Sequence, residues 1–161
     1  MTNRPVRVVM PQAELYREAE TAFVTATTYW PFLEPMMVWL PDPQGYARLM
    51  AELWRGGRAF VIVEHDVVID AAKLHELLSC PEPWCGFPYL QVPDPNSEPV
   101  LGLGFTKFER KALEVLPDMP ERLDGAPWQN VHYITSALHY EAGLTQHRHE
   151  PPVRNLKAEE G

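Results

Sequence analysis

The chain has 161 residues, 45% of them hydrophobic, which supplies enough apolar material for one domain with a core and too little for two. Fourteen Lys and Arg against 22 Asp and Glu give a formal net charge of -8, so nucleic acid is a poor candidate partner. The sequence contains no apolar run long enough to predict a membrane span, and residues 1–7 lack the apolar stretch of a secretory signal. With only two cysteines, these features predict a cytoplasmic protein without a disulfide scaffold.

The first part of the chain alternates strand and helix patterns. Residues 6–10 predict a first strand, and Pro11 suits the first turn of a helix that follows it. Residues 36–40 predict a second short strand. Asp42 then predicts the N-cap of an amphipathic helix that ends at the glycines of residues 56–57.

Residues 59–63 form a continuous apolar run of strand length. Continuous apolarity, rather than alternation, indicates a strand covered on both faces, and therefore a central position in the sheet. Three polar residues, Glu64, His65 and Asp66, interrupt the apolar segment directly afterwards. Asp70 predicts the N-cap of the next helix, which extends to about residue 78.

In the second part, residues 84–90 and 100–105 predict the two strands of a long hairpin. Residues 106–109 have the spacing of a capping box, which predicts a helix from there to about residue 116. Residues 128–142 predict a last helix and residues 144–150 a closing strand. The order of elements predicts a single α/β domain over residues 1–152, a Rossmann-like mixed sheet flanked by helices, followed by a flexible tail over residues 153–161.

The polar triplet is the first candidate site. Side chains alternate along a strand, so Glu64 and Asp66 are expected to project together and His65 to point to the other side. Ligands of open α/β sheets bind outside the carboxyl ends of the strands, where paired carboxylate oxygens suit a hard cation that carries phosphate. The alternative is a solvated strand exit or a set of ion pairs.

A second candidate lies near the C-terminus. His147 and His149 stand at strand spacing, and imidazole beside carboxylate favours Mn, Fe or Zn, so either histidine could complete a site with the triplet. The alternative is that both are surface residues. Together with Cys80 and Cys85 they could instead form a tetrahedral zinc site, although both cysteines could equally be ordinary buried thiols.

Residues 60–68, with the helix end at residues 53–57 before them, resemble the metal-site region of GT-A type glycosyltransferases, in particular small members from actinobacteria and their phages. The resemblance implies transfer of a sugar from a nucleotide-diphosphate sugar donor to an acceptor, with Mn²⁺ or Mg²⁺ as cofactor. It implies Asp66 as the main metal ligand in a variable D-x-D motif, Glu64 near the ribose or the metal, and His149 or His147 as a late metal ligand.

The expected nucleotide-sugar site comprises Met10, Pro11, Glu64, His65, Asp66 and Gly104, and the loops after Met10 and around residues 40–42 are expected to hold the base. Trp128 could stack on a base or a sugar, although its spacing favours a core position. The general base is not identified by any motif. The candidates are His132, Asp124 and Glu141, and His132 stands where the family pattern has an Asp, four residues after the tryptophan of the last helix. Two further hypotheses remain, a catalytically inactive GT-A-like binding or assembly module and a structural zinc protein.

Overall fold

The computed structural model describes residues 5–94 and 96–160. Residues 1–4 of the predicted domain and Gly161 of the predicted tail lie outside the described residues. The strands are β1 (Val6–Gln12), β2 (Leu33–Trp39), β3 (Phe60–Val63), β4 (Val67–Val68), β5 (Trp84–Gly86), β6 (Phe105–Phe108), β7 (His147–Arg148) and β8 (Arg154–Asn155). The helices are α1 (Arg17–Thr28), α2 (Gly45–Arg55), α3 (Ala71–Ser79), α4 (Arg110–Val115), α5 (Met119–Leu123), α6 (Trp128–Thr135), α7 (Ala137–Tyr140) and α8 (Leu156–Glu160).

Six strands form one mixed sheet in the order β2-β1-β3-β6-β5-β7, and β4 pairs with β8 in a separate ribbon. β1 is parallel to both β2 and β3, whereas β6 is antiparallel to β3 and β5. All four residues of β3 are buried, which confirms the central position predicted from the apolar run. The predicted α/β class, a single mixed sheet flanked by helices, is confirmed.

Two apolar layers cover the two faces of the sheet. Val9 and Ile62 point into the layer beneath α2, while their neighbours Val8 and Val61 point into the layer beneath α1 and α3. This alternation follows from the pleat of the strands, which sends successive side chains to opposite faces. Within residues 5–94 and 96–160, none of the helices has the length and apolarity needed to cross a bilayer.

The prediction of a helix beginning at Pro11 is wrong. β1 continues through Gln12, Pro11 lies opposite Val38 in the parallel pairing with β2, and α1 begins only at Arg17. Pro11 lies beyond the three-residue stretch of β1 that pairs with β3, and a proline without an amide hydrogen is tolerated where pairing is incomplete. Sheet pairing therefore overrides the local preference of proline for a first helical turn.

The expected helix start at residues 106–109 is also wrong. Phe105–Phe108 forms the fully buried strand β6 between β3 and β5, and α4 begins after Glu109. The predicted hairpin is shorter than expected, because beyond β5 and β6 the chain continues it only through an isolated bridge between Tyr89 and Val100. The burial of all four side chains in the sheet stabilises the strand more than a capping box would stabilise a helix start at these residues.

Residues 153–160, expected as a flexible tail, form β8 and α8. Val153, Asn155 and Ala158 are buried, and β8 pairs antiparallel with β4. The Leu156 amide donates to the carbonyl of Asp66 at 2.7 Å. The end of the chain therefore packs directly against the polar triplet.

Candidate functional site

The polar triplet forms a turn at the end of β3. The Glu64 amide donates to the Gly104 carbonyl at 2.9 Å, and the Val67 amide donates to the Glu64 carbonyl at 3.1 Å, which closes a four-residue turn. Strand alternation therefore does not apply beyond Val63. The turn nevertheless keeps Glu64 and Asp66 close enough for the charge of Asp66 to act on Glu64.

This turn borders a cavity of about 390 Å³. The other walls come from the loops that follow β1 and β2, from the start of α6 and from α8. The lining residues are Ala13, Glu14, Leu40, Pro41, Asp42, Pro43, Glu64, His65, Asp66, Trp128, Gln129 and Lys157. Because β1, β2 and β3 are parallel, the loops at their carboxyl ends meet on one side of the sheet, where ligands of α/β sheets bind.

The two carboxyl groups of this cavity are desolvated. Burial, followed by the charge of Asp66, raises the pKa of Glu64 to about 8. Burial also raises the pKa of Asp66, and His65 opposes that shift. Within the described part of the chain, neither carboxylate forms an ion pair with a Lys or Arg, and Lys157 pairs with Glu14 at 3.1 Å instead.

A buried hydroxyl lies next to Glu64. The Tyr46 side chain is 1% exposed, and its Oη faces the Glu64 carboxyl group. Burial, and then the charge of Glu64, raise the pKa of this phenol. Two desolvated carboxylates without a Lys or Arg counter-charge among the described residues fit a bound divalent cation with oxygen ligands, which Glu64 and Asp66 could hold.

His65 connects the turn to the loop after β1. Its Nδ1 accepts a hydrogen bond from the Ala13 amide at 3.1 Å, and its ring lies 5.6 Å from that of Tyr16 and 5.3 Å from that of Trp128. The side chain is only 6% exposed, and burial lowers its pKa. His65 lines the cavity, and its contacts hold the turn against the loop after β1 and against Trp128 at the start of α6.

Three of the predicted binding residues lie behind the cavity. Met10 and Pro11 are buried within β1, and the cavity wall begins two residues after Pro11, at Ala13. Gly104 supports the turn from behind through its carbonyl, and a Cβ at this position would meet Tyr89 Cε1 at 2.5 Å. A glycine is needed there because the Tyr89 ring packs directly on the backbone.

The late histidines lie elsewhere. β7 is the edge strand of the sheet, separated from β3 by β6 and β5. There His147 and His149 come together with Cys80, and the ligand atoms of the three side chains all lie within 4.8 Å of one another. Neither histidine lines the cavity of Glu64 and Asp66, so the structure does not place a shared metal ion between an imidazole and Asp66.

The three candidate bases are also absent from the walls of that cavity. His132 borders a separate cavity next to Trp84, and burial lowers its pKa. Asp124 follows the last residue of α5. Glu141 is held by Arg122, whose Nη2 donates to its carboxylate at 3.0 Å.

The loops after β1 and β2, which the sequence predicts at the nucleotide base, border the cavity through Glu14 and Asp42. Position after a parallel strand is the signal that identifies these loops. Trp128, for which the sequence favours a core position, and Lys157, expected in a flexible tail, also line the cavity. Lys157 carried no comparable signal, because its place depends on the docking of α8.

No protein-family model and no curated protein matches the chain. The fold is similar to that of a glycosyltransferase involved in the glycosylation of the major capsid of PBCV-1, with a TM-score of 0.53 and 15% identity over 91% of this chain and 82% of that one. A putative glucose-1-phosphate thymidylyltransferase from Bacillus anthracis, in complex with a sucrose, aligns with a TM-score of 0.47 and 10% identity over 90% of this chain and 68% of that one. The first likeness shows that this chain shares its fold with a glycosyltransferase.

Proposed function

We propose that the cavity at the end of β3 binds a nucleotide-diphosphate sugar together with Mn²⁺ or Mg²⁺, and that the protein transfers the sugar to an acceptor. The observation that carries this proposal is the pair of desolvated carboxylates, Glu64 and Asp66, without an ion-pair partner among the described residues, at the carboxyl ends of three parallel strands. The fold shared with a glycosyltransferase supports the same class of donor.

Asp66 and Glu64 are the residues that would hold the cation. Both offer hard oxygen ligands, which Mg²⁺ and Mn²⁺ prefer. When bound, a divalent ion supplies positive charge to the diphosphate and to the nucleotide as it departs. Because the pKa of Glu64 is raised to about 8, cation binding there near neutral pH would release a proton to solvent.

The remaining walls suit the nucleoside. Leu40, Pro41 and Pro43 together with the Trp128 indole provide an apolar surface for a base, and the cavity volume of about 390 Å³ lies in the range of small-molecule sites. Trp128 is held in place by the Tyr46 ring, with 4.4 Å between the ring centroids. A rigid indole in a preformed wall reduces the ordering cost of binding.

A second candidate is a GT-A-like binding or assembly module without turnover. It is favoured by one observation: His132, Asp124 and Glu141 are all absent from the cavity walls, so the residues expected to activate an acceptor do not face the donor site. The two functions share the donor site and differ in whether nucleotide is released.

Binding is tested by titrating the full chain with UDP-, GDP- and TDP-sugars, with and without Mn²⁺, and following the tryptophan fluorescence. We expect saturable, Mn²⁺-dependent binding of at least one donor, seen in the combined tryptophan emission and confirmed by calorimetry. Asp66→Asn should abolish it, and Glu52→Gln, at an exposed position of α2, should leave it unchanged. Absence of metal-dependent binding for every donor, with Asp66→Asn indistinguishable from wild type, would sink the proposal. Metal-dependent binding without nucleotide release in the presence of an acceptor mixture identifies the second candidate.

A further inference from the structure

A cluster of sulfur and nitrogen ligands lies at the edge of the sheet, away from the proposed donor site. β7 pairs in parallel with β5, so that His147 lies opposite Cys85, and the His149 amide donates to the Gly86 carbonyl at 2.9 Å. This pairing brings both imidazoles next to Cys80, the residue that caps the C-terminus of α3. The cluster therefore joins the end of a helix to an edge strand only two residues long.

The side chain of His149 is held through one ring nitrogen and leaves the other without a partner among the described residues. The side chain is 8% exposed, and its Nδ1 lies 3.0 Å from Glu76 Oε1. A carboxylate only accepts hydrogen bonds, so the hydrogen of the neutral ring is on Nδ1 and Nε2 presents a lone pair. That Nε2 is buried and forms no hydrogen bond with the described residues. Carboxylate–histidine pairs of this kind orient imidazoles for metal binding.

The positions of the three ligand atoms suit a tetrahedral ion. Two ligand atoms of one zinc ion are separated by roughly 3.3 to 3.6 Å, as follows from Zn–N and Zn–S bond lengths. The three atoms here lie within 4.8 Å of one another, so side-chain rotations that shift the ligand atoms by about 1 Å would close the site around an ion. The His149 ring is held by Phe87, at 5.2 Å between centroids, and the His147 ring is exposed and free to adjust.

Cys85 lies next to Cys80 but is not one of the three clustered ligands. Its side chain is fully buried in the apolar layer beneath α1 and α3, and its Sγ lies 3.9 Å from the carbonyl of Leu77. The sequence-based alternative of a four-ligand site therefore becomes a three-ligand site, with the solvent-facing side next to His147 left for water. One thiolate with two imidazoles is a ligand set that favours zinc over Mg²⁺ or Mn²⁺.

We propose that Cys80, His147 and His149 bind a zinc ion that fastens β7 to the C-terminal end of α3. Glu76 acts as a positioning residue, because it holds the His149 ring with Nε2 directed at the ion. This site is separate from the proposed donor site in place and in ligand chemistry, and its existence does not depend on sugar transfer.

The test uses the full chain, stripped with a chelator and then supplied with zinc alone or with Co²⁺ as a spectroscopic probe. We expect one zinc per chain after dialysis, a thiolate-to-cobalt charge-transfer band, and a higher Tm with zinc than without. Cys80→Ala should abolish the band and weaken zinc binding by about 100-fold or more, whereas Cys85→Ala, which removes the neighbouring buried thiol, should keep both.

Two further variants test the site independently of whether Cys80→Ala folds. His147→Gln alters an exposed side chain and should still weaken zinc binding, and Glu76→Gln should weaken it by about 10-fold to 100-fold while the cobalt band persists. Asp66→Asn should leave zinc binding unchanged, which separates this test from that of the donor site. Less than half an equivalent of zinc on the wild-type protein, or equal affinity in wild type and a folded Cys80→Ala, would overturn the proposal.

Discussion

The end of β3 and the edge strand β7 present two contrasting groups of potential cation ligands. At β3, the ligands are the carboxylates Glu64 and Asp66, desolvated and without an ion-pair partner among the described residues. At β7 they are a thiol and two imidazoles, one of which is already oriented by a carboxylate. Hard oxygen ligands favour Mg²⁺ or Mn²⁺, whereas sulfur and nitrogen ligands favour zinc.

The contrast also concerns how each group is held. The β3 turn is held by its backbone, through the Gly104 carbonyl and the Leu156 amide, and the carboxylates of Glu64 and Asp66 remain available to a ligand. At β7 a ligand side chain is itself oriented, because Nδ1 of His149 contacts Glu76. The first arrangement suits a substrate that comes and goes, and the second a resident ion. α3 connects the regions, because it begins shortly after Asp66 and ends at Cys80.

The largest expected effect is on nucleotide release, which should depend on the β3 turn and not on the β7 cluster. Asp66→Asn keeps the size of the side chain and removes its charge, so we expect nucleotide release from the donor to fall by about 1000-fold, the equivalent of several kcal/mol of electrostatic stabilisation. Cys80→Ala should change it by less than about twofold. Both are measured as steady-state release of nucleotide at saturating Mn²⁺. An equal loss in the two variants would show that the regions act as one site.

The pH dependence of cation binding should differ between the regions. Because the pKa of Glu64 is raised to about 8, Mn²⁺ must displace a proton below that pH, and its affinity should rise by up to about tenfold per unit between pH 6 and pH 8. Glu64→Gln should bind Mn²⁺ more weakly and without this rise. Calorimetric titrations at several pH values measure both. A flat wild-type profile would contradict the buried, protonated state of Glu64.

The same carboxyl group affects the stability of the metal-free protein. Its folded pKa of about 8 lies above the ordinary value of 4.5, so the unfolded chain ionises first and the free energy of unfolding should decrease as pH rises from about 4.5 to 8. Glu64→Gln should reduce this decrease in urea denaturation, whereas Glu52→Gln should not.

Two glycines provide a matched test of the backbone beneath each region. An added Cβ at Gly104 would lie 2.5 Å from Tyr89 Cε1, and one at Gly86 would lie 2.9 Å from the Phe105 carbonyl oxygen. Each substitution to Ala should destabilise the fold by about 1–3 kcal/mol through overpacking. Gly104→Ala should weaken donor binding more than zinc binding, and Gly86→Ala should do the reverse. Urea denaturation and the two binding assays measure these effects. If both variants lost donor binding and zinc binding to the same extent, the two glycines would not support separate sites.

The smallest effect concerns the helix that connects the regions. Asp70 Oδ1 accepts a hydrogen bond from the Lys73 amide at 2.8 Å at the start of α3, so Asp70→Ala should cost about 1 kcal/mol in thermal or urea unfolding. Zinc affinity should fall slightly more than donor affinity, because Glu76 and Cys80 are carried by this helix. Glu114→Ala, which removes one partner of an exposed ion pair with Arg110, is the control and should cost less than about 0.5 kcal/mol.

Much of the fold could be predicted from local patterns. The apolar run before Glu64 identified a central strand, and Asp70 identified a helix cap, because burial on both faces and capping hydrogen bonds depend on residues close in sequence. Pro11 and residues 106–109 were misassigned, because pairing with neighbouring strands overrode their local preferences. Whether Glu64 and Asp66 bind a metal and a donor remains a prediction that the experiments above would test.

The sequence by itself determined that Glu64, His65 and Asp66 interrupt an apolar segment at the end of a strand, since this follows from the order of apolar and polar residues. Only the tertiary structure decided the partners of those residues and of the late histidines. A two-residue periodicity states which side chains share a face of a strand, but not which strand lies beside it. His147 and His149 meet Cys80 rather than Asp66 because β7 pairs with β5 at the sheet edge, a contact between segments far apart in the chain.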